Sequence, residues 1–249
     1  MHRTCPHYAS TKSLLTRTKS YVHDVAVNKF CLARAKPCTT RKGTNSTMKV
    51  AIIGAGNVGK ALATSITNAG HDVTIAAKRP ENARAAAHVI GTSSADSNAD
   101  AVVGADVVIL AIPYTAGSQV VDEIRDGVTG KTIIDVTNPL TADYSGLATS
   151  TSAAEELQQR LPDASVVKAF NTIFAANQAN PSRDVDGFVA ADNDKAKQQV
   201  ISLVESMGFT SLDVGPLRAA RFLEGMAFIN IGLNAQNGWS WTSAWKLER

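Results

Sequence analysis

Residues 48–60 read Met-Lys-Val-Ala-Ile-Ile-Gly-Ala-Gly-Asn-Val-Gly-Lys, and this stretch decides the fold. Its centre, Val50–Ile53, is short, apolar and rich in β-branched residues, the composition of a strand. Gly54-Ala55-Gly56-Asn57-Val58-Gly59 follows as a G-x-G-x-x-G, and residues 57–68 carry a helical pattern closed by Gly70. Alone the glycine pattern says little, because glycine-rich turns produce it by chance. Directly after a strand, at the head of a helix and inside a βαβ unit of about 30 residues, it reads as a dinucleotide-binding turn. In that setting Gly54 permits the tight turn, Gly56 lets backbone approach a pyrophosphate, and Gly59 allows close helix–strand packing. The helix N-terminus adds unpaired N–H groups and a partial positive charge for the phosphates.

The end of the second predicted strand, residues 73–76, selects the nucleotide. A site that prefers NAD places an acid there to bond the ribose 2′-hydroxyl. This chain has Ala77-Lys78-Arg79, and the nearby acid, Asp72, precedes the strand. Two cations at that point suit a 2′-phosphate, which an arginine can hold in bidentate fashion. The residues therefore point to NADP(H). Ala111-Ile112-Pro113-Tyr114 and Asn138-Pro139-Leu140 each end a further apolar run. Such strand ends face the crevice where ligands lie in open α/β sheets. Ala111, Ile112, Pro113, Asn138 and Pro139 are thus candidates to border the nicotinamide half.

Outward from this centre, strand and helix patterns alternate. Helices are predicted over 80–89 and 116–125, and strands over 106–112 and 131–136. A polar, Asp/Ser-rich stretch separates residues 89 and 106. Ser152-Ala-Ala-Glu155 is a capping box opening a helix that Pro162 ends, and a strand follows over 165–169. Beyond it come a strand at 187–190, a helix at 194–207, a strand at 210–213 and a last helix at about 217–234. Alternation of this kind predicts an α/β fold, a doubly wound and mostly parallel sheet. We divide it into a nucleotide-binding domain over 48–170 and a small C-terminal α/β extension over 171–249 for substrate and dimerisation.

Composition narrows the function further. The net charge of +3 hides two parts, because residues 1–47 carry nine Lys/Arg and one acid, Asp24. The remainder holds 16 Lys/Arg against 21 Asp/Glu, a net of −5, with no electrostatic footprint for nucleic acid. Cys5, Cys31 and Cys38 all fall in the basic leader, so the core holds no disulfide framework or cysteine metal site. No run reaches the ~18 apolar residues of a membrane span. These features fit a cytoplasmic protein without metal. The leader reads either as a transit peptide or as an upstream extension of a chain whose start is Met48. The direct run of Met48 into the first strand favours the latter, and disorder is expected there. His71, before a strand, and His88, at a helix end, read as solvated surface positions. No Ser/His/Asp set, no H-E-x-x-H and no Lys or His proton donor beside the nicotinamide position can be found. No catalytic side chain is therefore assigned, which suits a hydride acceptor that is a conjugated ring better than a carbonyl.

These residues resemble the coenzyme F420-dependent NADP oxidoreductases, or NADPH-dependent F420 reductases, whose dinucleotide domain is shared with related ferric reductases. Four segments carry the resemblance: Met48–Lys60, Ala111–Tyr114 with Asn138-Pro139-Leu140, Val166–Ile173 (VVKAFNTI), and Leu212–Leu223 (LDVGPLRAARFL). The first is common to many nucleotide-binding proteins, and the last two are more specific. The resemblance implies hydride exchange between NADP(H) and the deazaflavin ring of F420 or a flavin-like acceptor. It places nucleotide contacts on Ala55–Val58, Lys78, Arg79 and Ile112-Pro113. It sets the acceptor against Asn171, Thr172, Ile173 and the turn holding Pro216 and Leu217. Members of the family often have Ser-Arg where Lys78-Arg79 stands. The tail Trp239-Ser-Trp241-Thr-Ser-Ala-Trp245 has no clear counterpart; it reads as packing, a dimer contact or a stacking wall. A pyrroline-5-carboxylate-type reductase of small imines or carbonyls stays open as an alternative, though only 80 residues follow Ala169. So does a non-catalytic NADP(H)-binding regulator. The apolar last helix suggests a core element or the seam of a homodimer.

Overall fold

The computed structural model describes residues 47–249. Apart from Thr47, the leader reading and its cysteines lie outside the described residues. The chain begins with β1 (Lys49–Ile53), α1 (Asn57–Asn68), β2 (Asp72–Ala76), α2 (Pro80–Ile90), β3 (Ser93–Ser94), α3 (Asn98–Val103) and β4 (Val107–Leu110). Next come α4 (Gly117–Ile124), β5 (Thr132–Asp135), α5 (Ala153–Arg160), β6 (Ser165–Lys168) and α6 (Ala175–Ala179). Then β7 (Asp186–Ala191), α7 (Asp194–Met207), β8 (Thr210–Asp213) and α8 (Ala220–Asn237) close the fold. The strands form one sheet in the order β3-β2-β1-β4-β5-β6-β7-β8. All neighbours are parallel except β6 and β7, where Val167 faces Ala191 antiparallel. The mostly parallel, doubly wound expectation holds, and the C-terminal strands extend the same sheet.

Alternation along β1 shows why both faces must be covered. Val50 and Ile52 pack with Leu62, Ile66 and Ile75 on one side, beneath α1. Ala51 and Ile53 pack with Val108, Val121, Ile124 and Leu157 on the other, beneath α4 and α5. Strands buried on both faces read as continuous apolar runs rather than alternating ones. The registers Ile53↔Ala76, Ile53↔Leu110, Leu110↔Asp135 and Asp135↔Lys168 bring the carboxyl ends of five strands into one line. Ser152 caps α5 as expected, its Oγ accepting from the Glu155 N–H at 3.1 Å and donating to Oε2 of Glu155 at 2.8 Å.

One stretch gains elements and one reading of the sequence is corrected. The polar stretch after α2, for which no element was predicted, supplies β3 and α3, the latter capped by Ser97 accepting from the Asp100 N–H. A two-residue edge strand and a six-residue helix are too short to show a period. His71 is 5% exposed, not solvated. Its Nδ1 accepts the Met48 N–H at 3.1 Å and its Nε2 meets Ser206 Oγ at 2.9 Å. The ring is buried because α7, distant in sequence, covers the amino end of β2.

Candidate functional site

The glycine turn has the tight geometry that its spacing predicts at Gly54 and Gly59. Gly54 sits at φ +120°, and a Cβ there would lie 2.1 Å from the carbonyl oxygen of Ala111. A Cβ on Gly59 would lie 1.8 Å from the carbonyl oxygen of Gly54. Both glycines exist so that β1, β4 and α1 can close on one another. Gly56 differs, because a Cβ there would meet nothing within 4 Å. The open space above it is where a pyrophosphate can approach. Gly56 is also the N-cap of α1, offers no side-chain cap, and is followed by a first turn without an acid. The leading amides of α1 are therefore left for an anion.

A cavity of about 670 Å³ opens over this turn. It is lined by Gly54, Ala55 and Gly56, by Lys78 and Arg79, and by Ala111, Ile112 and Pro113. Pro80 opens α2 and holds Arg79 in an extended conformation at φ −111°, ψ 112°. Both cations are exposed at the cavity edge, and among the described residues neither pairs with an acid. Asp72 begins β2 and so lies at the opposite end of the sheet. The donor set fits a dinucleotide with a 2′-phosphate.

A second cavity, of about 190 Å³, includes Val58, two residues beyond Gly56. It is lined by Asn138, Asn171, Thr172 and Ile173, by Phe170 and Phe174, and by Ala227, Asn230 and Ile231 of α8. Asn138 Nδ2 donates to the Asn171 carbonyl at 3.1 Å, and Asn171 Nδ2 donates to Asn138 Oδ1 at 2.9 Å. This reciprocal clamp joins the loops after β5 and β6. Phe170 turns the chain there at φ +63°, a rare conformation for a bulky residue that its neighbours must enforce. Gln178 supplies that enforcement, its Nε2 donating to the carbonyls of Phe170 and Ile173. Among the described residues no titratable side chain lines this cavity.

The remaining candidates fall outside both cavities. Asn57 is the exposed first residue of α1, while Gly59 is buried in the turn. Pro139 is buried beside Asn138 and lines neither. Pro216 is exposed, and Leu217 is 2% exposed in the core beneath α5, its N–H donating to Asp192 Oδ1 at 2.9 Å.

Sequence reasoning missed the charged cluster between these parts. Lys168 is wholly buried, and its Nζ donates to Asp135 Oδ2 at 2.8 Å, Glu224 Oε1 at 2.7 Å and the Thr137 carbonyl at 2.5 Å. All three ammonium protons are used. Asp135 Oδ1 in turn accepts from the N–H and hydroxyl of Thr137, and Glu224 accepts the first N–H of α5, from Ala153, at 3.0 Å. One lysine thus ties β5, the Thr137–Asn138 loop, α5 and α8. Burial pushes the Glu224 carboxyl up to about 7, against the pull of the Lys168 ammonium. The signal was a charge inside each of two otherwise apolar strand ends, Asp135 and Lys168, which the register sets side by side. Nearby, Tyr114 donates to Glu156 Oε2 at 2.6 Å, a bond that with burial raises its phenol to about 12.

A glycine turn, an anion-ready helix end and a cation pair at the end of β2 define an NADP-dependent oxidoreductase of the doubly wound class. A family profile described as NADP oxidoreductase coenzyme F420-dependent matches residues 49–139. The F420-dependent NADP reductase of Methanothermobacter thermautotrophicus is 33% identical over 210 residues, covering 76% of this chain and 90% of that protein. Rat metalloreductase STEAP3 is 33% identical over 180 residues, covering 71% of this chain but only 36% of that protein. The chain thus spans about a third of that relative's length. A solved structure from Arthrobacter sp. FB24, provisionally assigned as an F420-dependent NADP reductase, superposes with a TM-score of 0.74 at 26% identity. It is covered in full by 81% of this chain. The chain belongs to the F420-dependent NADP oxidoreductase family. Among the described residues no helix is long and apolar enough to cross a membrane.

Proposed function

We propose that the protein transfers hydride between NADP(H) and coenzyme F420, with the nucleotide in the larger cavity and the acceptor ring against the smaller one. Lys78 and Arg79 take the 2′-phosphate, and the amides of Ala55–Val58 hold the pyrophosphate. The Ala111–Pro113 and Asn138-Pro139 strand ends border the nicotinamide. NADP(H) supplies or accepts the hydride, and this chain's residues orient the two rings and exclude water between them. The carrying observation is the cavity formed by Asn138, Asn171, Thr172 and Ile173, which has apolar and amide walls and no titratable group. Reduction of a carbonyl or imine gains from a positioned acid, whereas a conjugated ring accepts hydride without one. In the family resemblance the turn at Pro216 and Leu217 also faces the acceptor; here it is a supporting position behind α5.

The test is direct. The full-length protein is mixed with NADPH and either F420, FMN or a small cyclic imine, and absorbance at the nicotinamide band is followed. Turnover with F420 and not with the imine is expected. Turnover with the imine alone sinks the reading, and NADPH binding without turnover for any acceptor makes the protein a regulator.

The protein acts as a cytoplasmic homodimer in this reading, without nucleic-acid or membrane partners. Phe222, Ile229 and Leu233 of α8 are 70%, 53% and 39% exposed and fall on one face by helical spacing. A second copy covering that face removes it from water. Light scattering should give twice the chain mass, and Ile229→Asp should return the monomer.

A further inference from the structure

Helix α8 ends at Gly238 in the left-handed conformation, and residues 239–249 turn back as a strap. This strap carries all three tryptophans of the chain, Trp239, Trp241 and Trp245. It is held at several points. Ser243 Oγ accepts from Asn234 Nδ2 and donates to Asn230 Oδ1, both at 2.6 Å. Asn177 Nδ2 donates to the Thr242 carbonyl at 2.9 Å. At the edge of β7, the Asp186 N–H donates to the Trp245 carbonyl and the Leu247 N–H returns to Asp186 Oδ2.

These bonds hold Trp241 at φ +59°, a region that bulky L-residues avoid unless the surroundings over-determine it. Packing does not account for that strain, because Trp241 is still 46% exposed. Its ring stands edge-on to Phe174, with centroids 5.5 Å apart and planes at 86°. Phe174 and Asn230 both line the 190 Å³ cavity, and they come from different elements. The strap therefore braces two walls of that cavity and presents a half-exposed aromatic beside it.

We propose that Trp241 is the outer wall of the acceptor site and stacks on the part of the planar ring that the cavity does not hold. The inference rests on the reading of that cavity as the acceptor side. A volume of 190 Å³ is below the roughly 300–1,000 Å³ of pockets that take up whole drug-sized ligands. A tricyclic ring of the deazaflavin or flavin type thus leaves a face or edge outside. An aromatic wall next to Phe174 covers that part in the offset or edge-on geometry such rings favour. Trp245 is the anchor that fastens the strap to β7, and Trp241 is the residue that meets ligand.

Because every tryptophan lies in the strap, tryptophan fluorescence excited selectively at the red edge, where tyrosine does not absorb, reports on the strap alone. The full chain, saturated with NADP+, is titrated with F420. Saturable quenching is expected, and Trp241→Phe should remove more of it than Trp239→Phe does. Trp241→Ala should raise the KM for F420 about three- to tenfold while leaving NADP+ affinity unchanged, and Trp241→Phe should restore KM to within about twofold. A Trp241→Ala protein with wild-type KM for F420 and wild-type NADP+ affinity overturns the role of Trp241 alone. Wild-type protein that binds NADP+ but neither binds nor reduces F420 overturns the acceptor reading, and this inference with it.

Discussion

The two halves of the site are built on opposite principles. On the nucleotide side, backbone does the work: glycines remove side chains, α1 offers its amides, and Lys78 and Arg79 stand exposed, neither paired with an acid among the described residues. On the side proposed for the acceptor, buried side chains do it: the Asn138–Asn171 clamp, the Gln178 brace and the Lys168 cluster hold the loops after β5 and β6. The first half is pre-formed largely by local geometry, and its glycine turn and cation pair both lie within residues 48–79. The second depends on contacts such as Lys168 to Glu224, 56 residues apart. A local site tolerates change elsewhere, whereas a networked one fails when any member is removed.

The comparison breaks most visibly at Lys168. Lys168→Met leaves two buried carboxylates unpaired, and the expected loss is about 3–5 kcal/mol at pH 8 by denaturant unfolding. The loss should shrink at pH 6, where Glu224 takes up a proton. An undiminished midpoint at pH 8 would mean that the cluster does not hold the acceptor side together.

The next effect separates two glycines of the same turn. Gly59→Ala drives a methyl into the Gly54 carbonyl and should cost about 3 kcal/mol through forced backbone shifts. Gly56→Ala meets nothing in the protein, so its thermal midpoint should stay near wild type while NADPH affinity falls. Equal melting of both variants would contradict the division between packing and ligand approach.

A smaller effect isolates the phosphate. Arg79→Ala should weaken NADPH binding about ten- to a hundredfold, the worth of one charge-assisted contact, and leave NADH binding within about twofold. Calorimetric titration with both nucleotides decides it, and equal losses would remove the 2′-phosphate assignment.

The smallest effect is in pH. His71 has its pKa lowered by burial, with Asp72 opposing. The unfolded chain therefore binds the proton more readily, and stability falls as pH drops below about 6.5. Glu224, raised to about 7, acts oppositely, its stability being full below about 4.5 and lost as pH rises to about 7. The two slopes oppose each other across the overlap. Glu224→Gln should expose the His71 slope, at most about 1.4 kcal/mol per pH unit, and His71→Gln should expose the reverse.

Much of the fold was legible because its signals are local. Val50–Ile53, the helix from Asn57 to Asn68 and the Ser152 capping box each announce themselves within a few residues, and each appears where the pattern put it. The short β3 and α3 were not legible, since neither is long enough to repeat a pattern. His71 was misread for a different reason. Its partner Ser206 lies 135 residues away, and no feature of its neighbours in the chain records that contact.

The sequence by itself determined the doubly wound sheet, the dinucleotide turn and the charge that favours a 2′-phosphate. Those follow from backbone sterics and residue chemistry over short spans. Only the tertiary structure decided which distant side chains share the smaller cavity. It alone revealed that Asp135, Lys168 and Glu224 are one cluster, and that the tryptophan tail folds back onto Phe174 and α8. Burial sets those outcomes, and burial is a property of the packed whole rather than of any segment.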